Sequence, residues 1–119
     1  MKTIIINPNE APIVKDIDNS LSSLQETVGG YIEVIYPFDD PVGIVCNEEG
    51  KINGLPLNRA LYNDGEIYDV IAGTFLIVGL GEEDFEDVPE ELIEKYVQLY
   101  EKPERFFLLD GELSVFYDM

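Results

Sequence analysis

Eight carboxylates crowd one short stretch of the sequence: Glu82, Glu83, Asp84, Glu86, Asp87, Glu90, Glu91 and Glu94. The surrounding stretch, residues 60–94, holds eleven acids and no Lys or Arg. Such a run suits three kinds of work. It can be a solvated face, with acids favoured at the positive N-terminal end of a helix by about 0.3–1 kcal/mol each. It can meet a basic protein surface, with association that weakens steeply as salt rises. It can hold a divalent cation, although the Asp-x-Asp-x-Asp-Gly spacing of a calcium loop is missing. Carboxylates on successive helical turns, such as Glu90, Glu94 and Glu101, would lie about 5–6 Å apart, close to the phosphate spacing of one nucleic-acid strand. The expectation is a partner-binding face on these eight residues, with no metal and no other cofactor.

A second constellation is Asn47, Lys51, Asn58 and Arg59, two of the seven basic residues among turn-favouring side chains. One reading is structural: two turns and a short helix, with the asparagines bonding local backbone. The other is a recognition pocket in which Lys51 and Arg59 hold an anionic group such as a nucleotide. Arg59 is the only cation between Lys51 and Lys95, so its structural partner is expected to be a carboxylate. Gly79-Leu80-Gly81 has the outline of a phosphate loop, but five of the next six residues are acids and would repel phosphate.

The remaining chemistry is sparse. There is no His, so no Ser-His-Asp or Cys-His system and no His metal ligand. The single Cys, Cys46, allows no internal disulfide, and its β-rich surroundings predict a small buried side chain. Asp39-Asp40 and Glu48-Glu49 are adjacent acids in turns, where side chains diverge. No catalytic residue is identified, and an enzyme is not expected. Most of the seven tyrosines are expected to be half-buried, with some serving as interface anchors.

The elements that must position these groups follow from composition and pattern. The chain has 119 residues, a net charge of −18 from 25 acids and 7 bases, and 45% hydrophobic residues. That apolar content separates it from acidic disordered tails. The charge argues against direct binding of nucleic acid or an anionic membrane. No run approaches the roughly 20 apolar residues of a membrane span. The N-terminus does not read as a signal peptide, and a cytoplasmic location is expected.

Residues 2–6, 31–36 and 42–47 read as strands, and residues 12–17 as a shorter one. Asp18-Asn19-Ser20 opens a helix with Leu21, Leu24 and Val28 on one face, closed by Gly29. Residues 57–62 read as one or two helical turns, ended by Asn63-Asp64-Gly65. Residues 70–80 read as a central strand, apolar on both faces. Asp87 is the expected N-cap of a second helix, whose stripe is Leu92, Ile93, Tyr96, Val97 and Tyr100. A last hairpin turns at Asp110-Gly111. The pattern predicts one α+β domain over residues 1–119: a single, mostly antiparallel sheet with two main helices packed on it.

Four motifs carry a resemblance: Val28-Gly29-Gly30-Tyr31-Ile32-Glu33-Val34, Asn47-Glu48-Glu49-Gly50-Lys51, Gly54-Leu55-Pro56-Leu57-Asn58-Arg59-Ala60 and Ile71-Ala72-Gly73-Thr74-Phe75. In this order they resemble domain of unknown function 3846, a family of short phage, plasmid and conjugative-element proteins. The resemblance covers roughly residues 17–84. It implies a mobile genetic element and carries over no activity and no catalytic residue. In that company a small acidic protein is expected to be a counter-defence factor, anti-restriction or anti-CRISPR. Its acidic run would occlude the basic nucleic-acid groove of a defence enzyme. The alternative is a nucleotide-sequestering protein using Asn47, Lys51, Asn58 and Arg59.

Overall fold

The computed structural model describes residues 1–117. Its elements are β1 (Lys2–Ile6), β2 (Ile13–Asp16), α1 (Leu21–Val28), β3 (Ile32–Ile35), β4 (Val42–Asn47), β5 (Leu57–Asn63), β6 (Glu66–Ala72), β7 (Phe75–Leu80), β8 (Phe85–Glu86), α2 (Glu90–Leu99), β9 (Glu104–Leu109) and β10 (Glu112–Tyr117). The architecture is α+β, and every strand pairing is antiparallel.

The strands form three sheets rather than the single one expected. The main sheet runs β2-β1-β7-β4-β3, with β8 also on β7. β5-β6 and β9-β10 are separate two-stranded sheets. Two local features cause the split. Gly73, at φ 81°, breaks the apolar run of residues 70–80 into the end of β6 and the whole of β7. Only glycine takes that backbone angle without strain. Residues 57–62 also form a strand, not helical turns. Asp64 and Gly65, both at positive φ, close a hairpin that pairs β5 with β6. Asp-Gly is a strong hairpin signal, and here pairing overrides the helix preference of Leu57, Arg59, Ala60 and Leu61.

Alternation along the main sheet builds two cores. Ile4, Ile6, Val42, Ile44, Cys46, Phe75 and Ile77 point to one face and pack with Leu61 and Ile71 of the β5-β6 hairpin and with Val88, Tyr96 and Tyr100. Ile5, Val45, Leu76 and Val78 point to the other and pack with Leu24 and Val28 of α1. β7 is thus buried on both faces, as expected of the central strand, which is shorter than the 70–80 run that predicts it.

Helix α1 starts and stops where its sequence says. The Ser20 hydroxyl accepts from the Ser23 N–H at 3.2 Å, and Gly29 caps it at φ 78°. Leu21 faces solvent instead of joining the buried stripe. Helix α2 starts differently: its N-cap is Pro89, with no side-chain cap bond. Asp87 is diverted because its carboxylate accepts the Lys2 N–H at 2.7 Å. Glu101 lies beyond the end of α2, so it does not continue the helical acid row.

Candidate functional site

The acid segment is seated on the end of β7. Asp84 folds the turn: its carbonyl accepts the Gly81 N–H at 2.9 Å, and its carboxylate accepts the Phe85 N–H at 2.8 Å. β8 then pairs back, Glu86 opposite Gly79 and Phe85 opposite Leu80. A Cβ on Gly79 would lie 2.1 Å from the Asp87 carbonyl oxygen, so the segment lies directly against the strand backbone. Val88 anchors the far end, buried in the core, with its N–H on the Lys2 carbonyl at 2.9 Å.

Glu82, Glu83, Asp84, Glu86, Asp87, Glu90, Glu91 and Glu94 are all exposed. Lys2 meets two of them, through its backbone N–H at Asp87 and through an ion pair to Glu90 at 3.1 Å. Glu94 accepts from Gln98 at 3.1 Å. Glu90 and Glu91 occupy the first turn of α2, where the helix dipole favours negative charge. Among the described residues no three His, Cys, Asp or Glu converge to hold a metal ion. The arrangement therefore presents charge along an ordered segment instead of gathering it at a point.

The second constellation splits in two: Asn47 and Lys51 line one cleft, while Asn58 and Arg59 are buried together elsewhere. Asn47 links its own turn to the end of α1, accepting the Glu49 N–H at 2.8 Å and donating to the Val28 carbonyl, 19 positions away, at 3.2 Å. Lys51 is exposed and pairs with Asp69. It lines a cleft of about 250 Å³ together with Glu33, Glu48 and Asp69, acids that would oppose an anionic ligand. Asn58 lies elsewhere, fully buried, donating to the carbonyls of Ile6 and Gly73, each at 2.9 Å. Arg59 is 0% exposed. Its guanidinium donates to the Asn58 side-chain oxygen and to the carbonyls of Asn58, Glu10 and Tyr100 at 2.7–3.2 Å. Carbonyls, not the expected carboxylate, are its hydrogen-bond partners. Its Nε is a buried donor with no acceptor among the described residues. Burial lowers its pKa, but an arginine stays charged.

Cys46 is buried, as its surroundings predict. Burial, with Glu33 and Asp69 nearby, pushes its thiol up to about 11, away from nucleophilic use.

A further cleft, of about 260 Å³, opens between the β5-β6 hairpin, the end of α2 and the β9-β10 hairpin. Its walls include Phe38, Tyr62, Tyr68, Tyr100 and Tyr117, with Glu104 among them. Glu104 is 7% exposed and accepts the Ala60 N–H at 2.7 Å. Burial raises its pKa, against the opposing effects of the Ala60 N–H, the Arg59 charge and a Tyr117 hydroxyl hydrogen bond. Burial likewise raises the Tyr62 and Tyr100 hydroxyls well above the usual tyrosine range. Sequence reasoning missed this site. Its one usable signal is Glu104 directly after Pro103, at the start of a strand with an apolar run behind it.

Residues 1–101 match a family described as domain of unknown function (DUF3846). No curated protein and no solved structure matches the chain. The match takes in the acid segment and α2 and stops before the β9-β10 hairpin. No helix among the described residues is long and apolar enough to cross a membrane.

Proposed function

We propose that this chain, which belongs to the family described as domain of unknown function (DUF3846), is a non-enzymatic module that docks on a basic protein surface. The observation that carries this reading is the ordered display of eight exposed carboxylates on one segment, set on a chain of net charge −18. Ordering matters because a prearranged row of charge pays less entropy on association than a flexible tail. Basic surfaces of this kind are those that bind nucleic acid, so the partner is a nucleic-acid-binding enzyme and the effect is occlusion of its groove. In a phage, plasmid or conjugative element, acting in the cytoplasm, that role is counter-defence against restriction or CRISPR enzymes. Nucleotide capture by Asn47, Lys51, Asn58 and Arg59 has less support, because Arg59 is fully buried on backbone carbonyls and Lys51 sits among acids.

The test is affinity capture from extract of the producing cell, at low and high salt, with wild type and with a variant carrying Glu82→Lys, Glu83→Lys, Asp84→Lys, Glu86→Lys and Asp87→Lys. A basic nucleic-acid-binding protein retained by wild type at low salt, and lost on reversal, supports docking. Equal retention by both chains refutes it.

A further inference from the structure

We propose that the tyrosine-lined cleft around Glu104 receives the guanidinium of an arginine side chain from the basic partner. This rests on the docking reading above and adds a specific anchor to it.

The cleft has the composition of a cation site. Aromatic rings from five elements or their flanks surround it: Phe38 after β3, Tyr62 on β5, Tyr68 on β6, Tyr100 at the end of α2 and Tyr117 on β10. Ring faces attract a cation, and guanidinium also stacks on them in plane. Glu104 supplies the negative charge. The ion pairs among the described residues do not include Glu104. Arg59 lies close enough to be felt, but its guanidinium bonds are made to the Asn58 side chain and to carbonyls. Glu104 itself accepts the Ala60 N–H on one oxygen, and the Tyr117 hydroxyl lies close enough to lower its pKa. A carboxylate accepts about four hydrogen bonds, so acceptor capacity remains for a bidentate guanidinium.

Size and exposure point the same way. About 260 Å³ is below the range of drug-sized pockets, roughly 300–1,000 Å³, and suits one long side chain. Tyr62, Tyr68, Leu99 and Tyr117 are large apolar groups left exposed around it. Exposed apolar groups gathered in this way mark interaction sites, and aromatic pockets that take one arginine are typical interface anchors. Among the described residues no cation lines the cleft.

The experiment is a titration followed by NMR, with Nα-acetyl-arginine methylamide as probe and its citrulline counterpart as the neutral isostere. The proposal predicts saturable shifts of the Ala60 amide and of the Tyr62, Tyr68 and Tyr117 rings. The citrulline compound should bind at least about tenfold more weakly, a factor equal to about 1.4 kcal/mol. Glu104→Gln retains an acceptor for the Ala60 N–H and should also weaken probe binding at least about tenfold. Tyr68→Leu, on an exposed ring, keeps apolar bulk and should weaken binding without unfolding the chain. Absent shifts, equal binding of citrulline, or probe binding unchanged in both variants overturns the proposal. Failure here with salt-sensitive capture intact removes the anchor and leaves the docking reading. Probe binding without capture of any basic protein does the reverse.

Discussion

Arg59→Met separates a structural arginine from a ligand-binding one. The guanidinium ties its neighbour Asn58 to two distant parts of the chain, Glu10 after β1 and Tyr100 at the end of α2. Hydrogen bonds to a charged group contribute about 1.5–3 kcal/mol each. Against this stand the cost of burying the charge, several kcal/mol, and the Nε donor left without an acceptor. Methionine restores both of those losses. What it cannot restore is a donor for the carbonyls of Glu10 and Tyr100 and for the Asn58 side-chain oxygen. Leaving two or three such acceptors unmet, at about 1–3 kcal/mol each and partly offset by removal of the charge, gives a net loss of about 3 kcal/mol. That is a large share of the roughly 5–15 kcal/mol that holds a domain together. In urea, at about 1.5 kcal/mol per molar, the midpoint should fall by about 2 M. Arg59→Lys should do no better, because one ammonium cannot span the same fork of acceptors and keeps the buried charge. Urea melts followed by circular dichroism and tyrosine fluorescence measure both variants. A midpoint for Arg59→Met within about 0.3 M of wild type, a change under about 0.5 kcal/mol, would refute the structural assignment and return Arg59 to the list of ligand candidates.

Other substitutions test neighbouring steps. Gly79→Ala sets a Cβ against the Asp87 carbonyl; the β8 segment must shift, at about 1–3 kcal/mol. Hydrogen exchange should then show lost protection at the Val88 amide with α1 unchanged, and unchanged Val88 protection would contradict the seating of the acid segment. Glu104 has a folded pKa raised by burial. Its protonated form is therefore favoured by folding, and the cost of burying its charge is absent below the unfolded pKa and complete only above the folded one. Paired thermal melts should show Glu104→Gln gaining on wild type as pH rises from about 4 to 7; a flat or falling difference would show that the carboxylate is not held in this way. Cys46, with its thiol pushed from 9.0 to about 11, should react with a disulfide reagent at pH 8 about 100-fold more slowly than an unperturbed thiol. Labelling as fast as in the urea-unfolded chain would place Cys46 outside the core.

Much of the scaffold is legible in short-range pattern. Ser20 and Gly29 bound α1 by capping chemistry, Asp110-Gly111 turns the last hairpin, and the apolar run of residues 70–80 announces a doubly buried strand, although only residues 75–80 form it. The misreadings arise where a distant partner decides. Asp64-Gly65 can stop a helix as well as close a hairpin, and the pairing of β5 with β6 decides for the hairpin. Gly73 reads as a bend in one strand until its positive φ divides the run between two sheets. Asp87 has the residues of an N-cap behind it, but the Lys2 N–H, 85 positions away, claims its carboxylate. The same holds for function-bearing side chains. The acid segment is contiguous and visible, whereas the Glu104 cleft is assembled from β5, β6, the end of α2 and the last hairpin, with no spacing that announces it. Arg59 looks like a ligand residue only while its three acceptor segments are unknown.

The docking account is tested most directly by competition on the basic protein that the wild-type chain retains at low salt. A fluorescent DNA duplex bound to that protein is challenged with wild type and with the chain reversed at Glu82, Glu83, Asp84, Glu86 and Asp87. The account predicts that wild type displaces the duplex, that displacement fades as salt rises, and that the reversed chain displaces none. Displacement by both chains alike, or a duplex that stays bound in the presence of saturating wild type, would contradict it.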